Sequence, residues 1–465
     1  MTPGPDPATP TPRIDVFSVP VCEGTLVYAP LHRLAAFVNP SAAALLRERL
    51  EAGGPAPSAV GAIVDHIRGA DPPLPSPRRG PLDPCFLGLI TTRGCRLACR
   101  YCDFATPGGP SLAMDPAMAR SAIDAYLEVL RSHGRRRAEL HFFGGEPFEA
   151  DDVVHFAVEY AALRAAELGM TIRFEVTTNG VYGPARAEWI SDHFDTVVLS
   201  LDGPADIQDR QRPGRTGHGT SGIVERTARI LSAGPAELIV RACVTNETVG
   251  QMPEIAHWVS REFIPSMVCF ETLTDTPRSR AAGLSSPDPW EFARYFTLAS
   301  RILADRGIVA VLATADLRES RIHFCPVSRD PLIVSPDGAV DACYLPGEYR
   351  GALDLRLGTL AGGAFHVDAD ALEHARNLTV FERRLCADCM CRYHCAGGCH
   401  VNHDTARPPG GFDAVCIQTR LVTIAQLLER LGQRNVADRW LADRSALEAS
   451  VWQPSDRLCS PPLSA

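Results

Sequence analysis

Three cysteines in one short segment, Cys95-Arg-Leu-Ala-Cys99-Arg-Tyr-Cys102, constrain this chain more than any other feature. The C-x3-C-x2-C spacing lets a single loop offer three thiolates to one centre, so the elements on either side must fold around that centre. A [4Fe-4S] cube has four corners and takes thiolate ligands. Three protein ligands would leave one iron open to a substrate or cofactor. The chain has sixteen cysteines, and a second group is densely spaced from Cys325 onward. The N-terminus is Pro/Thr-rich and lacks an apolar signal-peptide stretch, so clustered cysteines point to metal sites in a cytoplasmic protein and away from a disulfide framework. Zinc is the alternative, but it usually takes paired C-x2-C knuckles in a closed shell.

The 465 residues predict two or three domains, and 45% apolar content is enough for a substantial core. A net charge of −9 excludes the basic field by which nucleic-acid binders work. No apolar run reaches the length of a membrane span.

Residues 1–12 are Pro-rich and are predicted to be disordered. A small α+β module follows, with strands over 14–21, 24–28 and 34–38. A helix opens at Asn39-Pro40-Ser41 and is stopped by Gly53-Gly54, and a second helix covers 58–67. A Pro/Gly-rich linker spans 71–84. Apolar runs over 86–91, 139–143, 171–177, 196–200, 237–244 and 267–271 then alternate with amphipathic patterns such as 117–130, 153–168, 222–231 and 290–304. This order predicts an α/β fold, a partial (β/α)6 barrel of the TIM type with its site at the C-terminal strand ends. Residues 320–420 are expected to have little regular structure and to be held by their cysteines. Residues 419–449 read as one or two helices. The organisation is thus an N-terminal module and linker (1–84), a core (85–315), a cysteine-rich domain (316–420) and C-terminal helices with a tail (421–465).

The cysteine trio after a first strand resembles the radical SAM superfamily, and further motifs fall at predicted strand ends. Phe143-Gly144-Gly145-Glu146-Pro147 is similar to the superfamily's GGEP motif, and Ser200-Leu201-Asp202-Gly203-Pro204, continuing to Asp209 and Arg212, is similar to its sulfatase-maturase-like branch. The resemblance implies a [4Fe-4S] cluster on Cys95, Cys99 and Cys102 whose open iron chelates S-adenosylmethionine (SAM). It implies contacts to that cofactor from Tyr101, Gly144, Gly145, Glu146, Ser200 (ribose) and Arg212 (carboxylate). A reductase, flavodoxin or ferredoxin would supply the electron. Cys325-x12-Gly338-x4-Cys343, Cys386-x2-Cys389-x5-Cys395-x3-Cys399 and Cys416 resemble the SPASM domain, which carries two auxiliary [4Fe-4S] clusters. By that resemblance Cys386, Cys389, Cys395 and Cys416 hold one, and Cys325, Cys343 and Cys399 hold the other, whose fourth ligand is not identified. Cys391 reads as a bystander, Cys243 and Cys269 as small core residues, and His394, His400 and His403 as satisfied polar residues.

Two enzyme classes fit the resemblance. Anaerobic sulfatase maturases oxidise a Cys or Ser to formylglycine and use an Asp directly after the Gly-x4-Cys cysteine as base; here that place is Tyr344, with Asp341 two residues before the cysteine. The N-terminal module instead resembles a RiPP recognition element, which binds the leader of a ribosomally made precursor peptide as an added edge strand. The expectation is therefore a maturase that modifies a side chain or Cα of such a peptide, with Tyr344 the one named candidate for a catalytic role. A third class, an iron–sulfur electron carrier or binding protein that never cleaves SAM, is opposed by the GGEP and SLDGP motifs.

Overall fold

The computed structural model describes residues 15–52, 58–69, 76–102, 104, 112–350, 353–401, 412–445 and 456–459. The readings made for residues 1–12, for the Gly53-Gly54 stop, for His403 and for the first part of the linker lie outside them.

The N-terminal module has the expected order. Strands β1 (Val16–Val21), β2 (Gly24–Ala29) and β3 (Leu34–Val38) form an antiparallel meander, followed by helices Pro40–Ala52 and Ser58–Arg68. One face of its sheet packs with the helices through Val16, Val27, Ala29, Leu46, Val60, Val64 and Ile67. The other contributes Phe17, Val19, Val21, Leu26 and Tyr28 to the main core of the protein. Both faces are apolar, so the module is built into the body; the buried hydrogen bond from Tyr393 Oη to Asp15 at 2.9 Å adds a polar tie.

The central sheet begins with β4 (Leu87–Ile90), β5 (Arg137–Phe143), β6 (Thr171–Thr178), β7 (Thr196–Ser200), β8 (Glu237–Val244) and β9 (Met267–Thr272), all parallel and in sequence order. These are the strands that the apolar runs predict. A further parallel strand, β10 (Val309–Val311), extends the sheet beyond β9; at this length it leaves no readable run. Helices cover the outer face. Pro116–Ser132 is typical: Asp115 caps it by accepting from Met118 N at 2.7 Å, and Ala119, Ala122, Ile123, Tyr126, Leu127 and Leu130 form the buried stripe.

Residues 320–420 correct the expectation of irregular structure. Strands β11 (Leu332–Val334), β12 (Ala339–Asp341), β13 (Arg356–Ala361) and β14 (Ala364–Val367) continue the same sheet, with β11 parallel to β4 and the rest antiparallel. Leu332, Val334, Val340, Leu355, Leu357 and Leu360 join the main core, so this region has an apolar anchor besides its cysteines. The strands are short and broken by turns, which hid their alternation. Because β11 takes the free edge of β4 and β10 ends the sheet on the other side, the sheet is open among the described residues.

Helices Ala414–Arg430 and Arg434–Ala442 follow, and a last strand, β15 (Asp456–Cys459), returns to pair antiparallel with β1. The tail is therefore the outer strand of the N-terminal sheet, and β3 forms the opposite edge. No helix among the described residues is long and apolar enough to cross a membrane.

Candidate active site

Alternation along the strands decides what the inner face of the sheet presents. On β5 Ala138, Leu140 and Phe142 point to the helices, leaving His141 and Phe143 on the inner face. On β6 to β9 the inner residues include Glu175, Thr177, Ser200, Arg241, Cys243, Cys269 and Glu271, none fully buried, while their neighbours are. A filled TIM barrel packs these positions with branched apolar side chains. Here polar side chains take many of these positions. Cys243 and Cys269 thus correct the expectation of core packing: their sequence neighbours Ala242, Val244, Val268 and Phe270 take the core positions.

The cysteine loop sits at the C-terminal end of β4. Cys95, Cys99 and Cys102 lie within electrostatic reach of one another, and burial pushes the thiols of Cys95 and Cys99 up to about 11 and about 12. Anionic ligands there need either donors or a metal. Leu97 N and Asn179 Nδ2 point at Cys95 Sγ from 3.4 and 3.5 Å.

The GGEP turn is pressed against this loop. Gly145 N donates to Thr92 O at 3.0 Å and Glu146 N to Gly94 O at 2.8 Å. A Cβ on Gly144, whose φ is +152°, would lie 2.3 Å from Thr92 O, and one on Gly145 would lie 2.2 Å from Gly94 O. The glycines are thus required by contact between two backbones. Glu146 is 3% exposed, and its carboxylate accepts from Thr178 Oγ1 at 2.8 Å and Asn179 N at 2.7 Å, so it braces the end of β6. Burial raises its pKa to about 7.

The residues after β7 form a second buried network. Tyr101 Oη donates to Asp202 Oδ2 at 2.6 Å and accepts from Arg212 Nη1 at 2.8 Å. Gln211 Nε2 and Cys243 N also donate to Asp202, at 3.3 and 3.0 Å. Arg212 Nε is buried with no hydrogen-bond partner, an orphaned donor that an anionic group would satisfy. Asp209 instead caps helix Ser221–Ala233, accepting from Thr220 N and Ser221 N at 2.6 and 2.7 Å. Asp202 was quoted only as part of a motif; its standing as the hub of the network follows from the fold.

The distal cysteines also converge. Cys386, Cys389, Cys395 and Cys416 line one small cavity, and Cys391 lines it too, with its thiol directed to Thr423 Oγ1 at 3.6 Å. Cys391 thus lies beside the four, at the start of the helical turn Arg392–Cys395, with its thiol engaged by Thr423. Hydrogen bonding from Cys391 and the Arg420 guanidinium hold the Cys389 thiol below its ordinary pKa, which favours the ligating thiolate. Burial, and then the nearby Cys399 and Cys343, raise the pKa of Cys325, and burial with Cys399 raises that of Cys343, so the three lie within electrostatic reach. His394 and His400 are bonded to Thr423 and Arg383, both at 2.9 Å. Tyr344 is half-buried among aromatic rings: its ring centroid lies 4.7 Å from that of Phe143 and 6.4 Å from that of Phe86, and a Cβ on Gly88 would stand 2.5 Å from its hydroxyl. Burial raises its pKa well above the ordinary value, so it is a poor base.

Residues 89–259 match the model of the Radical SAM superfamily. Over 347 residues the chain is 28% identical to the serine-type anaerobic sulfatase-maturating enzyme of Klebsiella aerogenes, covering 71% of this chain and 83% of that protein. It is 22% identical to the cysteine-type anaerobic sulfatase-maturating enzyme of Clostridium perfringens (strain 13 / Type A) over 43% of this chain and 56% of that one. The solved structure of native anSMEcpe with bound AdoMet superposes with a TM-score of 0.57 at 18% identity, over 76% of this chain and 99% of that chain, a likeness of fold. The matched span covers the cysteine loop, the GGEP turn and the network around Asp202, and defines a radical SAM domain. Residues 89–259 are thus a Radical SAM domain in a chain that is similar over most of its length to sulfatase-maturating enzymes, which supports an enzyme that uses SAM over the electron-carrier alternative.

Proposed function

We propose that this enzyme modifies a side chain or Cα of a ribosomally made peptide. Cys95, Cys99 and Cys102 would hold the cluster, and SAM bound to it supplies a 5′-deoxyadenosyl radical. Arg212, with its unsatisfied buried Nε, would take the carboxylate of SAM, and Ser200 at the end of β7 its ribose. Tyr101 fixes the guanidinium of Arg212 through its hydroxyl, and Asp202 fixes Tyr101. Glu146 would keep the GGEP turn against the cysteine loop, where Gly144 and Gly145 would line the cofactor; the hydrogen bonds from Gly145 N and Glu146 N to that loop support this. The half-buried inner residues of β5 to β9 would face the target residue of the peptide. Cys386, Cys389, Cys395 and Cys416, and separately Cys325, Cys343 and Cys399, would hold two auxiliary clusters that take up the electron left by an oxidative step. A flavodoxin, ferredoxin or reductase would supply the first electron.

The observation that carries peptide maturation over formylglycine formation is Tyr344, packed against Phe143 and Phe86, at the place where the sulfatase maturases have a carboxylate base. The nearby carboxylate, Asp341, is engaged by Arg350 and Arg356 at 2.9 and 3.0 Å. Peptide substrates have support from the neighbouring structure of native anSMEcpe with bound AdoMet and Cp18Cys peptide. The N-terminal module supports leader binding, since β3 offers an outer strand edge beside helix Ser58–Arg68. The likeness to the serine-type maturase over most of the chain favours the second reading, oxidation of a sulfatase Ser or Cys.

The test is anaerobic reconstitution with iron, sulfide and SAM, followed by assay of 5′-deoxyadenosine and methionine. It is run with a leader-bearing peptide encoded beside the gene and, separately, with a sulfatase-derived peptide. A mass change in the first supports the proposal. An aldehyde formed only in the second replaces it with formylglycine formation.

A further inference from the structure

Beside the cysteine loop, on the side facing β11 and β12, lies a cavity of about 330 Å³. Arg93 and Arg215 line it from the core, and Asp337, Asp341, Arg350 and Arg356 from the strands that follow. The mechanism above uses none of these residues for chemistry. Arg93 stands two residues before Cys95, and the next residue, Gly94, contacts the GGEP turn through its carbonyl. The cavity therefore lies one backbone away from the proposed SAM site.

Its electrostatics are incomplete. Arg93 Nη1 is buried and has no hydrogen-bond partner among the described residues. A buried guanidinium nitrogen without an acceptor carries an uncompensated desolvation cost, and natural sites of this kind usually meet a ligand or water. Asp341, the best-buried carboxylate nearby, is already neutralised by Arg350 and Arg356. Asp337 accepts from Ala339 N at 3.2 Å, and Glu348 is exposed at the rim. Arg350 is further fixed by Leu345 O at 2.7 Å and Cys343 O at 3.2 Å. Four arginines against three carboxylates leave one positive charge in surplus, held by Arg93 inside and the exposed Arg215 at the mouth. A surplus of one suits a monoanion, and a guanidinium fork suits a carboxylate. A phosphate dianion would meet Asp337 and Glu348 with its second charge uncompensated.

We propose that this cavity receives a carboxylate of the peptide substrate, with Arg93 as its partner and Arg215 guarding the entrance. The inference rests on the substrate being a peptide and adds a specificity determinant to that reading. The carboxylate could come from an Asp or Glu side chain or from a free C-terminus; both present the same group to Arg93.

Three fluorescein-labelled peptides separate the cases by anisotropy on the reconstituted holoenzyme: Ala-Gly-Glu-Gly-Ala-amide, its Gln counterpart, and the Gln peptide with a free C-terminus. Binding of the Glu peptide at least tenfold tighter than its Gln counterpart supports side-chain recognition. The same advantage for the free C-terminus supports terminal recognition. Arg93→Gln should abolish the advantage, and Arg93→Lys should keep part of it. The exposed Arg215→Gln, which disturbs no packed neighbour, should weaken it several-fold. Equal binding of all three peptides, or an advantage that survives both Gln variants, overturns the proposal. SAM cleavage measured on the same preparation keeps the two readings apart: an active enzyme without charge preference refutes the cavity alone, and an inactive one bears on the reaction.

Discussion

Replacing Tyr101 by phenylalanine removes one oxygen from the buried network after β7 and leaves the ring, and its packing near the Arg212 guanidinium at 6.0 Å, in place. That oxygen donates to Asp202 over 2.6 Å and accepts from Arg212 over 2.8 Å. Hydrogen bonds to ionised partners contribute about 1.5–3 kcal/mol each. Asp202 retains donors from Gln211 and Cys243, so its share of the loss is at the low end; Arg212 loses the one side-chain hydrogen bond it makes among the described residues. The combined cost is roughly 3 kcal/mol. If half or more of that falls on the aim of Arg212, SAM affinity should drop about 10- to 100-fold, since 1.4 kcal/mol is about tenfold. Isothermal titration of SAM into the anaerobically reconstituted variant measures this directly. Affinity within twofold of the unmodified enzyme would refute the argument that Tyr101 and Arg212 act as one unit in cofactor binding.

Cys99→Ala should abolish 5′-deoxyadenosine formation while leaving the iron bound by the C-terminal cysteines, measured as iron per chain. Cys389→Ala should lower bound iron by roughly one cluster and reduce soluble yield, because cluster binding contributes folding free energy. Gly145→Ala places a Cβ 2.2 Å from Gly94 O, a backbone atom that cannot step aside, so SAM cleavage should be lost and thermal stability should fall. Glu146 has a folded-state pKa of about 7, above its ordinary 4.5, so the folded state binds the proton more tightly. Its contribution to stability is present below about pH 4.5 and is lost as pH rises through about 7, a total of about 3 kcal/mol. Denaturant titrations of the unmodified protein and Glu146→Gln across that window should show their stability difference changing with pH; a constant difference would contradict the raised pKa.

The module at the N-terminus bears on how leader binding is tested. Phe17, Val19, Leu26 and Tyr28 belong to the main core, so deleting the module exposes apolar surface of the whole protein. Charged substitutions along the outer edge of β3 are the cleaner probe, since that strand is only half-buried.

Local spacing made the chemistry legible in the sequence. C-x3-C-x2-C, the GGEP turn and the strand-then-helix alternation are short-range patterns, and short-range patterns survive in a linear text. The parallel strands β4 to β9 were readable because short segments of continuous or alternating apolar residues recur between amphipathic helical patterns. Tertiary structure alone decided the rest. Strands as short as β10, β11 and β12 have too few residues for an alternation to show, and they gain stability by pairing with β9 and β4 far away in the chain. The return of β15 to β1, the wall shared by Cys391 and its neighbours, the inward turn of Cys243 and Cys269, and the pairing of Tyr101 with Asp202 and Arg212 all depend on contacts between distant segments. No residue carries such partners in its own neighbourhood, because they are fixed only when burial of the common core brings the elements together.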